Sequence, residues 1–361
     1  MELQKVLKNI VPVSQEAMEQ SKKRWGKIAK PLHSLGKLED AVVQMAGIFG
    51  NAEYKLEKKG LVIFCADNGV VKEGVTQTGQ EVTAIVAKNF TEHAASVCFM
   101  AEAAGVDVYP IDIGMISDVD GVTAPEYKVM YGTHNFAEEP AMSREEAERA
   151  ILVGIQLVEK LAKDGYQILA TGEMGIGNTT TSSAVLSVLL GKNPKEVTGR
   201  GAGLCNDGLE RKVGAIQKGI ELLKPNPKDP IDVLAKVGGL DIAGMTGMFL
   251  GAAIYRIPVV IDGLISSVAA LCAISIIPEV KNYLLPSHRS AEPAGGMVLE
   301  ALGYEPFLDC RMSLGEGSGA VAIFPLLDMA LSVYHQMHTF EEIQVEQYED
   351  FEQGEDRDES L

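Results

Sequence analysis

The residues in this chain best equipped for chemistry lie in short glycine-rich stretches. Leu314-Gly315-Glu316-Gly317-Ser318-Gly319 sets one carboxylate between residues that have no side chain, at the start of the apolar segment 320–327. Flanking glycines let a substrate come close to Glu316, and an apolar lining raises a carboxyl pKa toward that of a working base. An ordinary glycine turn with an exposed Glu fits the same residues, and composition alone does not choose. A second stretch, GEMGIGNTT at 172–180, joins an apolar run to a segment of helical length. Gly172, Gly175 and Gly177 permit tight turns and Asn178 is an N-cap residue type, so the amides that follow, with the helix dipole, would face an anion. That is a phosphate seat or, equally, a tight strand-to-helix connection.

Asp67, Glu173 and Asp262 each follow an apolar run, close to glycine. Singly each is a turn residue or a cap, the reading preferred for Asp67. Their repetition at the carboxyl ends of strands suits a ligand with hydroxyl groups, such as a ribose. Two loops supply cations: residues 286–293 bring Arg289 together with Ser287 and Ser290, and residues 199–203 set Arg200 beside Gly201 and Gly203. Both arginines are expected to help hold phosphate. Lys212 lies about 60° around a helix from Leu209, at the rim of the apolar stripe Leu209, Val213, Ile216, Ile220 and Leu223. It is either an anion's partner or a lysine snorkelling to solvent.

Several chemistries drop out. There is no GxxxxGK[ST] and no GxSxG, and the GxxGxG order differs from the dinucleotide fingerprint. The six histidines, His33, His93, His134, His288, His335 and His338, show no HExxH spacing. His335 and His338 read as surface residues, and neither metal nor cofactor is expected.

The elements that must position these residues follow from periodicity. Short apolar runs at 61–66, 106–113, 167–170 and 257–261 alternate with longer helical patterns, the mark of an α/β protein with a mainly parallel, Rossmann-like sheet covered by helices on both faces. Ser143 and Glu146 form a capping box for a helix whose inner face carries Ala147, Ile151, Gly154, Val158 and Leu161, and Gly165 ends it. Residues 237–253 are rich in Gly and Ala, which lets backbones or a ligand come close. The N-terminal helix and the helical segment 320–338 lie outside the alternation. The expected division is therefore a small helical domain from 1–40 with 320–340, a large α/β nucleotide-binding and catalytic domain at 41–319, and a tail at 341–361.

At 361 residues and 46% hydrophobic, the chain can bury a sizeable core. A net charge of −18 argues against general affinity for nucleic acid or anionic membrane. Residues 340–361 hold ten acidic residues against Arg357, half of that charge, and read as a solvated, disordered end. Cys65, Cys98, Cys205, Cys272 and Cys310 read as buried thiols of a reducing compartment. The N-terminus lacks an apolar signal core, so a cytoplasmic protein is expected. Residues 259–277 are apolar enough to suggest a membrane span, but Asp262, Gly263 and the Ser266-Ser267 pair favour a buried strand and helix.

GEMGIGNTT (172–180), GRGAGL (199–204), VGGLDIAGM (237–245), RIPVVIDG (256–263), SHRSAEP (287–293) and LGEGSGA (314–320) together resemble the nicotinate-nucleotide:dimethylbenzimidazole phosphoribosyltransferase (CobT) family of cobalamin nucleotide-loop assembly. The likeness runs from about Ser34 to the tail. It implies transfer of ribose 5-phosphate from nicotinate mononucleotide to 5,6-dimethylbenzimidazole, giving α-ribazole 5′-phosphate and nicotinate. Glu316 matches the family's catalytic base. Glu173 and Lys212 match active-site residues, and Gly175, Ile176, Gly177, Asn178, Thr179 and Thr180 its phosphate seat, with Gly201 and Gly203 beside it. Asp262, Ser290 and Ala291 match nucleotide-contacting positions, the base is expected to be chosen near Thr76 and Gln80, and Leu314 is expected to bind substrate. The resemblance also implies a homodimer whose site borrows partner residues, and a small helical domain made from both chain ends.

Residues 76–79, Thr-Gln-Thr-Gly, stand where the family commonly has Ser-x-Tyr-Pro, so an aromatic ring of the base pocket is absent. The acceptor is therefore expected among dimethylbenzimidazole, other benzimidazoles, adenine or a phenol. Asn68 replaces a usual His, Leu32-His33 a usual Pro-Gly, and His134 a usual Arg. The alternative of another class is a nucleotide-binding partner subunit of the same fold without turnover. A transferase using the diphosphate donor is weaker, because its paired acidic residues before a Thr-Gly loop are missing.

Overall fold

A computed structural model describes residues 3–349. The chain divides into two compact units: residues 56–324 with the first twelve, and residues 13–55 with those from 325 on.

The first unit is built on five parallel strands: β1 (Lys59–Ala66), β2 (Val106–Gly114), β3 (Ile168–Met174), β4 (Val259–Ile261) and β5 (Leu284–Pro286), in the spatial order β2-β1-β3-β4-β5. Every residue of β1 is buried, as near-continuous apolar runs require when helices cover both faces. Four strands match the predicted runs. β5 escaped because three residues carry no measurable period. β3 also runs past Ala170 to Met174, which takes Glu173 into the sheet opposite Phe64. The apolar stretch 259–277 divides into β4 and the buried helix Leu264–Ile276, as Asp262 and Gly263 suggested.

Helix Arg144–Lys163 has the expected capping box, and all five predicted inner-face residues are buried. It lies against helix Leu240–Tyr255 at very short range: a Cβ on Gly154 would fall 2.0 Å from Gly244 O, and one on Gly247 1.9 Å from Ile151 O. The small residues of 237–253 thus serve helix contact. Among the described residues one helix, Ser318–Gln336, is long and apolar enough by composition to cross a membrane, and 56% of its apolar window is buried.

The second unit is helical. Gln15–Lys27, capped by Ser14, packs on Lys37–Phe49. The Trp25 and Tyr334 rings meet edge to face at 5.0 Å, and Lys30 pairs with Glu39 at 2.6 Å in a buried salt bridge. A cut after residue 40 would fall inside helix Lys37–Phe49, so residues 41–55 stay with this unit and the first twelve leave it. Of the predicted tail, residues 341–349 are described: the Glu342 carboxylate accepts from the Thr339 amide at 2.6 Å, and the Tyr348 ring meets Phe340 at 5.0 Å. Residues 350–361 lie outside the described residues. Cys65, Cys98 and Cys272 are buried, but Cys205 and Cys310 are exposed, each in a polar loop that a count of apolar neighbours misjudges.

Candidate active site

The loops that leave β3, β4 and β5 at their carboxyl ends, with residues 313–316 and 201–202, enclose a cavity of about 250 Å³. Ligands in open parallel sheets bind at this rim.

Glu316 stands in a turn that few sequences can make. Gly315, Glu316 and Gly317 have φ of 84°, 61° and 89° in succession, so three consecutive residues are left-handed and the middle one carries a side chain. Such a conformation costs a non-glycine residue about 1–2 kcal/mol, and strain of this kind gathers at functional sites. The turn lies on β3: a Cβ on Gly172 would come 2.5 Å from Glu316 O. The Glu316 carboxylate accepts from the Val97 amide at 3.2 Å, at the start of helix Ser96–Ala104. Burial raises its pKa, the Val97 amide lowers it, and the charge of Asp262 raises it again. The net shift is upward, as a proton acceptor near neutral pH needs.

Glu173 and Asp262 flank this loop. The Glu173 carboxylate accepts from the Asn178 side-chain amide, and burial pushes its pKa well above the usual range, helped by Asp241 and Asp262. Asp262 Oδ1 accepts from the Gly319 amide at 2.7 Å and the Ala320 amide at 3.0 Å, tying the end of β4 to the residues after Glu316. Burial raises the Asp262 pKa, while any charge on the His288 ring and the adjoining amides draw it back. The Asp67 carboxylate accepts from the Ile116 amide at 2.9 Å and lies outside the cavity lining.

Lys212 is 1% exposed, so it neither rides a rim nor snorkels. Its ammonium donates to Thr179 Oγ1 at 2.7 Å and to Gly199 O at 3.1 Å, both neutral, and burial lowers its pKa to about 8. Among the described residues no carboxylate forms a salt bridge with it. Thr179 and Gly201 carry this corner into the cavity wall. The charge of Glu292 opposes the lowering of the Lys212 pKa without a contact, and an ammonium whose hydrogen bonds go to neutral acceptors keeps the capacity to take an anion.

The seat differs from the predicted one. Gly177, with φ 94°, caps helix Asn178–Leu190, while Asn178 is its first residue and turns its amide to Glu173. A buried carboxylate needs that donor more than the helix end does. The leading amides are largely engaged too: Ile176 donates to Thr83 Oγ1 at 3.1 Å, Asn178 to Gly175 O at 3.0 Å and Thr180 to Gly177 O at 2.9 Å. The arginines also go elsewhere. Arg200 donates to Leu204 O and Asn206 Oδ1 in its own loop, and Arg289 is 55% exposed, 3.9 Å from Asp309.

Of the predicted site residues, Glu173, Gly175, Ile176, Asn178, Thr179, Gly201, Asp262, Ser290, Leu314 and Glu316 line the cavity. Gly177, Thr180, Gly203, Lys212 and Ala291 do not line it, although Lys212 reaches the lining residue Thr179. Thr76 and Gln80 are not brought to it: Thr76 Oγ1 donates to Thr78 O at 2.8 Å, Gln80 Nε2 to Asn68 O at 3.1 Å, and Gln77 to Gly203 O. Sequence reasoning missed His288, Glu292 and the apolar wall of Leu264 and Ile265. The first two lay in the highlighted loop 286–293, where the arginine drew attention because the register of β5 was not legible.

A parallel α/β sheet whose rim cavity carries a carboxyl of raised pKa, with a buried lysine next to its wall, has the groups of an enzyme site for an anionic substrate. A family model described as phosphoribosyltransferase matches residues 10–345, and the chain belongs to this family. It is 48% identical over 343 residues to the nicotinate-nucleotide–dimethylbenzimidazole phosphoribosyltransferase of Acetivibrio thermocellus, covering 95% of this chain and 98% of that protein. The protein of the same name from Ruminiclostridium cellulolyticum is 48% identical over 352 residues, covering 98% of this chain and 100% of that one. The crystal structure of CobT from Thermus thermophilus superposes with a TM-score of 0.86 at 38% identity, covering 92% of this chain and 100% of that one.

Proposed function

We propose that this chain transfers ribose 5-phosphate from nicotinate mononucleotide to 5,6-dimethylbenzimidazole or a related base, releasing nicotinate and forming an α-ribazole 5′-phosphate for cobalamin nucleotide-loop assembly. The observation that carries the reading is Glu316, a carboxyl of raised pKa on a strained turn at the cavity. Nicotinate departs from a pyridinium, so the leaving ring needs no general acid. An imidazole nitrogen that attacks C1′ becomes cationic unless its second nitrogen loses a proton, which Glu316 accepts. Attack opposite the leaving group turns β into α in one displacement. Lys212, Thr179 and Gly201 hold the phosphate, Glu173 and Ser290 border the nucleotide, and Leu314 borders the base. Two rings held in one cleft supply the orientation.

Because residues 76–80 do not line the cavity of one chain, they are proposed to reach the acceptor base in a homodimer, through the partner copy. The helical unit corresponds in this reading to the family's small domain, and the enzyme works in the cytoplasm. Incubating the chain with nicotinate mononucleotide and dimethylbenzimidazole should release nicotinate in step with α-ribazole phosphate. Tight nucleotide binding without release would instead favour a partner subunit that lacks turnover. Competing several bases in one reaction tests the acceptor, and exclusive use of dimethylbenzimidazole would overturn the wider acceptor range expected from the missing aromatic ring.

A further inference from the structure

His288 lines the cavity and is 4% exposed, yet half of its hydrogen-bonding capacity is unused. The pairing of β4 with β5 places Ser287-His288 beside Asp262-Gly263. The Ser287 amide donates to Ile261 O, and a bridge from His288 to Leu308 holds the next step of backbone. The ring itself lies on Gly319, where a Cβ would fall 1.8 Å from Nδ1 and 2.2 Å from Cε1. It cannot rotate without displacing the loop that carries Glu316.

Its protonation pattern follows from its neighbours. Ser287 Oγ donates to Asp262 O at 3.2 Å, which commits the hydroxyl proton. His288 Nδ1 lies 3.1 Å from that same Oγ, so Nδ1 carries a proton and donates to it. In the neutral ring Nε2 is then a lone-pair acceptor. Nε2 has no partner among the described residues, and it stands 3.7 Å from where a Cβ of Gly263, another lining residue, would sit. Asp262 is close enough for its charge and the ring's to interact, but its Oδ1 is engaged by the Gly319 and Ala320 amides and no hydrogen bond joins it to the ring.

We propose that His288 is a substrate-positioning residue whose Nε2 accepts a hydrogen bond from a ribose hydroxyl of the donor. This rests on the transferase reading above and adds to it how the sugar is oriented. A sugar hydroxyl is a donor of the right size for a cavity corner between Gly263 and Ser290, and a ring locked by Gly319 fixes the ribose relative to Glu316. The contact couples recognition of ribose to the loop that holds the base.

Calorimetric titration of the full chain with nicotinate mononucleotide, its 2′-deoxy and 3′-deoxy forms and the matching fluoro forms tests this. One deoxy donor and its fluoro counterpart, which cannot donate, should bind about tenfold more weakly than the parent. His288→Leu should bind the parent about tenfold more weakly and erase that discrimination, as a double-mutant cycle requires. His288→Gln, which retains an acceptor, should restore part of it. Deoxy donors bound as tightly as the parent, a fluoro donor bound as tightly as the parent, or full discrimination kept by His288→Leu would overturn the proposal. If His288→Leu does not fold, the wild-type analogue series and His288→Gln decide alone. Discrimination among donors without nicotinate release on adding the acceptor base sinks the transferase reading and leaves this contact standing, whereas no binding of the parent nucleotide sinks both.

Discussion

Around Lys212 the chain holds a charge by burying it, with hydrogen bonds to the Thr179 hydroxyl and the Gly199 carbonyl, and burial outweighs the opposing charge of Glu292 to lower the pKa to about 8. Around Glu316 it holds a charge by bending the backbone: three left-handed residues in succession, braced on Gly172 and tied by amides to Asp262 and by Val97 to the carboxylate. One end of the cleft is prepared by desolvation and is otherwise unstrained. The other is half-exposed and strained. A group that only binds can be kept waiting in a dry site for its counter-ion, whereas a group that moves a proton must be aimed, and aim comes from the backbone.

The largest effect is expected at Glu316. Glu316→Gln should lower kcat by about 10²–10⁴-fold while leaving nicotinate mononucleotide affinity within about threefold, read by steady-state kinetics beside calorimetry. Equal losses in kcat and affinity would contradict an aimed base. Gly172→Ala pushes on the Glu316 backbone from 2.5 Å and should cost about 10²-fold in kcat, again with the donor still bound.

At the other end, Lys212→Met should weaken donor binding roughly 10–100-fold, with a smaller effect on saturated turnover. Its signature is in pH. The Lys212 pKa is lowered in the folded chain to about 8, against about 10.4 for a free lysine, so between these values the unfolded chain binds the extra proton. Folding stability from this group is therefore least below pH ~8 and rises as pH climbs toward ~10.4, while donor affinity falls over the same window as the ammonium is lost. The stability difference between wild type and Lys212→Met, followed by denaturant titration across that window, should shrink with pH; a flat difference would mean that the lysine is not buried as a cation. The smallest effects are expected from Arg200→Ala and Arg289→Ala, about threefold or less in donor affinity, because both side chains point elsewhere.

Much of this was legible in advance. Four strands, the Ser143 capping box and the buried face of its helix follow from local pattern, because each depends on residues a few positions apart. The membership of the rim was legible too, through Glu316, Glu173, Asp262 and Ser290. What misled was partner choice. Asn178 has the chemistry of a cap and is used instead by Glu173, and the conspicuous arginines are held by Leu204, Asn206 and Asp309 while a lysine drawn from an ambiguous stripe is buried against Thr179 of the cavity wall. His288 went unweighed because its neighbours, Asp262 and Gly319, are 26 and 31 residues away in sequence.

The sequence by itself determined which residues could bend, which runs had to be buried, and which phosphoribosyltransferase motifs are present. The fold class follows from these, and so does part of the cavity lining, Glu316, Glu173, Asp262 and Ser290 among it, but not His288, Glu292, Leu264 or Ile265. The tertiary structure alone shows which cation is dry, which carboxylates the neighbouring amides engage, and that His288 lines the cavity. Backbone preference is a property of a few adjacent residues, but charge state and hydrogen-bond partnership belong to whatever the fold brings alongside, and in a parallel sheet those neighbours come from strands far apart in the chain.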